Sequence, residues 1–64
     1  MRNKVRELRQ VRGWTQQELG ARVGTSRQAI IAIENGRFDP SLPLALRLSR
    51  LLEMPIEQIF FLDE

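Results

Sequence analysis

Glycine or proline interrupts the chain at Gly13, Gly24, Gly36, Pro40 and Pro55, and this punctuation leaves room for no helix longer than about three or four turns. Between the interruptions the apolar residues recur at three- and four-residue spacing, so the sequence predicts an all-α fold of five short helices. In a chain of 64 residues, which buries only about 60% of its unfolded surface, the five must share one core. Residues 1–64 therefore read as a single domain.

The capping residues fix the expected boundaries. Asn3 is placed to cap a first helix over 4–12, with Val5, Leu8 and Val11 along its inner stripe and Gly13 in the left-handed position that ends it. Thr15-Gln16-Gln17-Glu18 has the form of a capping box, flanked by Trp14 and Leu19 at the spacing of a hydrophobic staple. It opens a second helix over 16–23 that turns Leu19 and Val23 inward and closes at Gly24. Gly20 costs such a helix about 1 kcal/mol relative to alanine, which is reasonable if another helix approaches it closely. Ser26 caps a third helix, Arg27 to Glu34, ending near Asn35-Gly36. Ser41 caps a fourth over 42–52, where Pro43 sits in the first turn without losing a hydrogen bond. Its expected inner stripe is Leu42, Ala45, Leu48 and Leu52, with Leu44, Leu46 and Leu51 as surplus apolar surface. Pro55 opens a last short helix through Phe60, and the tail Phe61-Leu62-Asp63-Glu64 reads as extended.

Composition narrows the chemistry. There is no cysteine and no histidine, which removes the common metal ligands, the thiol nucleophile and the imidazole base together. Glu18, Glu34, Glu53 and Glu57 have no matching base. The sequence thus predicts no catalytic residues, no cofactor, no metal and no small-molecule substrate. No apolar run approaches the roughly 20 residues that span a bilayer, so the expectation is no membrane association and a cytoplasmic location. Residues 1–37 carry eight Arg and Lys against three Glu, a balance of +5, while residues 38–64 carry two Arg against five acids, a balance of −3. A basic first half suits a face that meets a polyanion, although ordinary solvated helix surface has the same look.

Two short capped helices joined by a tight glycine-containing turn form a helix-turn-helix pattern. Projected at about 100° per residue, the third helix puts Ala29, Ile30 and Ile33 on one side. Arg27, Gln28, Ile31, Ala32 and Asn35 fall on the other. An outward face of one guanidinium, two amides, an exposed isoleucine and an alanine is unusual for water and suited to base edges. Arginine pairs with guanine, glutamine with adenine, and methyl groups meet thymine. Arg27, Gln28, Ile31 and Ala32 are the candidate base contacts, with Ile31 alternatively packing on another subunit. Gln16, Thr25, Ser26, Asn35 and Arg37 surround that face and are the candidate phosphate contacts. Any one of these taken alone reads more readily as solvated polar surface.

The stretch from Thr15 to Gly36 resembles the Cro/phage-repressor-like, or Xre, helix-turn-helix family. Asp39-Pro40-Ser41-Leu42 and Pro55-Ile56-Glu57-Gln58-Ile59-Phe60 resemble its small single-domain regulators. The resemblance implies a five-helix lambda-repressor-like DNA-binding domain whose third helix reads double-stranded DNA. It implies that Gln16 binds phosphate and props Arg27, that Arg9 and Glu34 form a buried structural ion pair, and that the outcome is repression. It also implies a small two-stranded β-sheet from the chain ends, Met1-Arg2-Asn3 with Phe60-Phe61-Leu62. Many members carry longer polar side chains where Ile31 and Ala32 stand, so this chain is expected to read more by methyl contact and DNA shape.

Ile56, Ile59, Phe60, Phe61 and Leu62 crowd the end of the chain with more apolar surface than one short helix needs. A homodimer interface is the expected use. An antitoxin or adaptor, using the same fold to bind a different protein through that segment, is the alternative.

Overall fold

Local hydrogen bonds at the helix ends set most of the architecture. The computed structural model describes residues 1–63, in the order β1 (Arg2–Asn3), α1 (Val5–Val11), α2 (Gln16–Val23), α3 (Arg27–Glu34), α4 (Leu42–Leu52), α5 (Ile56–Ile59) and β2 (Phe60–Phe61). Glu64, part of the expected extended tail, lies outside the described residues.

The boundaries of α2, α3 and α4 are those the caps predict. Thr15 Oγ1 accepts the Glu18 N–H at 3.0 Å, and Glu18 Oε1 accepts the Thr15 N–H at 2.8 Å. The bonds with Thr15 hold the Glu18 carboxyl below its ordinary range. Gly24 ends α2 at φ 77°, a left-handed conformation that costs glycine little. Ser26 Oγ accepts the Ala29 N–H at 3.1 Å, and Ser41 Oγ accepts the Leu44 N–H at 3.3 Å.

Asn3 is displaced from the expected N-cap of α1, which runs Val5–Val11 and not over 4–12. It lies in β1, one residue before the Lys4 cap position. Its Oδ1 accepts the Val5 N–H at 3.1 Å while its Nδ2 donates to the Ile33 carbonyl at 2.8 Å, tying the strand to the last turn of α3. The chain ends form the small antiparallel sheet, with Arg2 opposite Phe61 and Asn3 opposite Phe60. Lys4 extends the pairing by donating its N–H to the Ile59 carbonyl at 2.9 Å. That pairing takes Phe60 out of the fifth helix and leaves α5 as a single turn.

Val5, Leu19, Val23, Ile30, Ile33, Leu48, Leu52 and Ile59 fill the centre of the molecule. The structure corrects the predicted stripes in two helices. Val11 is 83% exposed, because six residues on from Val5 is about 240° around a helix. Arg9, one turn after Val5, takes the inward place. In α4 the buried ridge is Leu44, Ala45, Leu48 and Leu52, while Leu42 at the helix tip is 69% exposed. Leu44, Leu48 and Leu52 follow one another at four-residue spacing, which keeps them on one face as α4 packs on α2 and α5. Leu46 is exposed and Leu51 half-buried, as surplus apolar surface would be. No described helix is long and apolar enough to cross a membrane.

Candidate nucleic-acid interface

The relation between α2 and α3 depends on one missing methyl group. A Cβ placed on Gly20 would lie 2.9 Å from the Thr25 carbonyl oxygen and 3.2 Å from that of Ser26. The Thr25 N–H in turn donates to the Gly20 carbonyl at 2.8 Å. The turn between the helices therefore sits directly on the α2 backbone, which fixes the angle at which α3 leaves.

Leaving that turn, α3 buries Ile30 and Ile33 completely and Ala29 in part. Arg27, Gln28 and Asn35 are exposed on its other side. Ile31 and Ala32 are half-buried there, which corrects the expectation of an exposed isoleucine. On an eight-residue helix, side chains flanking the buried stripe are shaded by neighbouring structure.

Around this face lie the other candidates. Ser26 is exposed and its Oγ is engaged as the α3 cap, while Thr25 is half-buried. Arg37 is exposed, and its N–H donates to the Ala32 carbonyl at 2.9 Å. The loop that carries Arg37 is tied to the sheet through the Met1 ammonium group. This group donates to the Gly36 carbonyl at 3.3 Å and lies 3.6 and 3.5 Å from the carboxylates of Asp39 and Asp63.

Behind the face is a polar cluster centred on Glu34, whose side chain is fully buried. Arg9 donates from Nε to Oε2 at 2.7 Å and from Nη2 to Oε1 at 3.3 Å, a forked pairing. Its third donor, Nη1, reaches the Trp14 carbonyl at 2.8 Å. Gln16 donates from Nε2 to Glu34 Oε1 at 3.1 Å. Arg6 donates from Nε to the same oxygen at 3.5 Å and from Nη2 to Asn35 Oδ1 at 3.0 Å. Burial alone would push the Glu34 carboxyl up. Hydrogen bonds from Arg9, Gln16 and Arg6, with the Arg9 charge, outweigh it and hold the group below its ordinary value.

The Arg9–Glu34 pair is thus present as the resemblance implies. Gln16 differs: its amide nitrogen is engaged by Glu34, and among the described residues no hydrogen bond joins it to Arg27. Arg6 was missed by the sequence reading. The available signal was its position three residues before Arg9, which puts both guanidinium groups along one side of the helix.

The expected association residues divide in two. Ile59 is wholly buried and Phe60 is 8% exposed, so both side chains belong to the chain's own core, drawn in as β2 pairs with β1. Ile56 and Phe61 are half-buried and Leu62 is 64% exposed. These three, with Met1, Arg2, Glu57 and the remaining accessible edge of Phe60, line an open groove of about 560 Å³.

A family model described as helix-turn-helix matches residues 5–59. An uncharacterised HTH-type transcriptional regulator of Methanothermobacter thermautotrophicus is 55% identical over 65 residues, covering 100% of this chain and 94% of that protein. The uncharacterised HTH-type transcriptional regulator YgzD of Bacillus subtilis is 47% identical over 64 residues, covering 100% of this chain and 97% of that protein. Among solved structures, the restriction-modification controller protein C.AhdI of Aeromonas hydrophila superposes with a TM-score of 0.79 at 30% identity, over 89% of this chain and 86% of that one.

Proposed function

Since the chain belongs to the helix-turn-helix family of DNA-binding transcriptional regulators, we propose that it is a cytoplasmic repressor that occupies a palindromic operator as a homodimer, with α3 in the major groove. The observation that carries this reading is the outward side of α3. Exposed Arg27 and Gln28 stand beside half-buried Ile31 and Ala32, a set able to distinguish guanine, adenine and the thymine methyl group. Gln16, Thr25, Ser26, Asn35 and Arg37 flank it as phosphate contacts that set register without reading sequence. Occupancy of the operator excludes polymerase.

The homodimer is supported by the groove at the chain ends. Ile56, Phe61 and Leu62 give it apolar walls, and Arg2 and Glu57 give it charges of opposite sign. A two-fold axis through such a patch buries its apolar walls against their copies on the second chain.

Selection of bound duplexes from a random pool tests the reading, and enrichment of a two-fold symmetric site is expected. Gln28→Ala is expected to lose about 1–3 kcal/mol of discrimination at one or two positions of each half-site, with thermal stability unchanged. An identical selected profile for wild type and Gln28→Ala would remove Gln28 from the contacts. Phe61→Ala is expected to weaken self-association and operator affinity together. Sedimentation velocity reads the first and gel retardation the second. A wild type that is monomeric at micromolar concentration would exclude the homodimer, and a stable complex with a protein of different sequence would favour an adaptor.

A further inference from the structure

Building on the proposed operator binding, we infer that Arg6, on α1, is an additional contact to the DNA backbone and brings the first helix into the interface.

Charge is the first reason. Glu34 carries one negative charge, and Arg9, with its side chain 11% exposed, already forms a forked pair with it. Arg6 approaches the same carboxylate by its Nε alone, at 3.5 Å, and its side chain is 48% exposed. The buried pair is neutral without it, so the Arg6 charge is surplus and faces solvent.

Donor inventory is the second. A guanidinium has five N–H groups in a rigid fork. Arg6 uses one on Glu34 and one on Asn35, and among the described residues the remaining three meet no protein acceptor. A phosphodiester oxygen is an acceptor of matching geometry and opposite charge.

Placement is the third. Arg6 bonds directly to Asn35, and it shares the Glu34 Oε1 acceptor with Gln16. It is therefore held within a few ångströms of two residues proposed to touch phosphate. The bond to Asn35 has a further effect. With Oδ1 engaged by Arg6, the Nδ2 end of Asn35 is the end left to donate to an anion. Arg6 both supplies a charge and sets the direction of its neighbour's amide.

The test uses the full chain and the duplex recovered by the selection above. Affinity is measured across a salt series for wild type, Arg6→Gln and Arg6→Lys, with ethylation interference on the same duplex. Arg6→Gln is expected to reduce the slope of log affinity against log salt by about 0.9 per half-site and to weaken binding roughly tenfold per half-site at 0.1 M salt. It is also expected to abolish the interference of one phosphate in each half-site. Arg6→Lys is expected to keep the slope, since the charge stays, while the melting temperature of both variants stays within a few degrees of wild type. A residue that only braces α1 against α3 leaves slope and interference pattern unchanged, and that result for Arg6→Gln would overturn the inference. If Arg6→Gln fails to fold, the wild type decides: the Arg6 Nε–H resonance is expected to shift when duplex is added, and an unmoved resonance overturns the inference. A wild type that binds no duplex overturns the operator reading itself and this contact with it.

Discussion

Glu34→Gln is expected to lower folding stability by about 3–5 kcal/mol, the cost of leaving one partner of a buried ion pair uncompensated. The amide keeps the shape of the side chain, removes the charge that Arg9 needs, and turns an NH2 group toward a donor whichever way it flips, the Arg9 Nε on one side or the Arg6, Arg9 and Gln16 donors on the other. A domain this small has a total stability of about 3–10 kcal/mol, so the loss takes a large share of it. Urea denaturation at fixed protein concentration, followed by Trp14 fluorescence, measures the loss. A loss under about 1 kcal/mol would show that the cluster does not hold α1, α2 and α3 together. Replacing both partners, Arg9→Met with Glu34→Leu, should recover much of the stability, because the desolvation cost disappears with the charges.

The same carboxylate sets a pH dependence. Its folded-state pKa lies below the ordinary 4.5, so its stabilisation is complete above that value and declines as pH falls through the lower folded value. Wild-type stability should therefore drop on acidification below about pH 4.5, and the decline should be shallower in Glu34→Gln, where the group no longer titrates. An identical acid profile for the two proteins would place the acid sensitivity elsewhere.

Gly20→Val is expected to cost about 3 kcal/mol, the upper range for an overpacked site, and to weaken operator binding beyond what unfolding explains. The obstacle is backbone: the added Cβ would meet the Thr25 carbonyl oxygen at 2.9 Å and the Ser26 carbonyl group at 3.2 and 3.3 Å. No side chain can swing aside to make room, so α2 and α3 must part. Gly20→Ala meets the same first contact and recovers about 1 kcal/mol from helix propensity, so its effect should be smaller. Thermal melts and gel retardation at saturating folded fraction separate the two consequences. Wild-type stability and affinity in Gly20→Val would mean that the turn tolerates displacement.

The helix-turn-helix was legible because everything that defines it acts within a few residues. The capping box from Thr15 to Glu18, the left-handed Gly24 and the Ser26 cap are hydrogen bonds and backbone preferences between near neighbours. Residue identity and spacing are enough to specify them. The same holds for Ser41 and Pro43 at the start of α4. The basic first half and the unusual outer face of α3 were equally visible, since they depend on composition and helical period alone.

The tertiary structure decided which apolar groups turn inward and which polar groups meet. Val11 and Leu42 have the composition of core residues and lie outside, whereas Arg9 lies inside because Glu34, 25 residues away, supplies its counter-charge. Phe60 fits a helix pattern but pairs as a strand with Asn3 at the other end of the chain. The meeting of Arg6, Arg9 and Gln16 on the Glu34 carboxylate likewise joins three helices. The sequence by itself determined where α2, α3 and α4 begin and end, since those bonds close within one turn. How the helices are rotated against one another, and so which side chains share a site, depends on packing between distant segments, which local spacing does not encode.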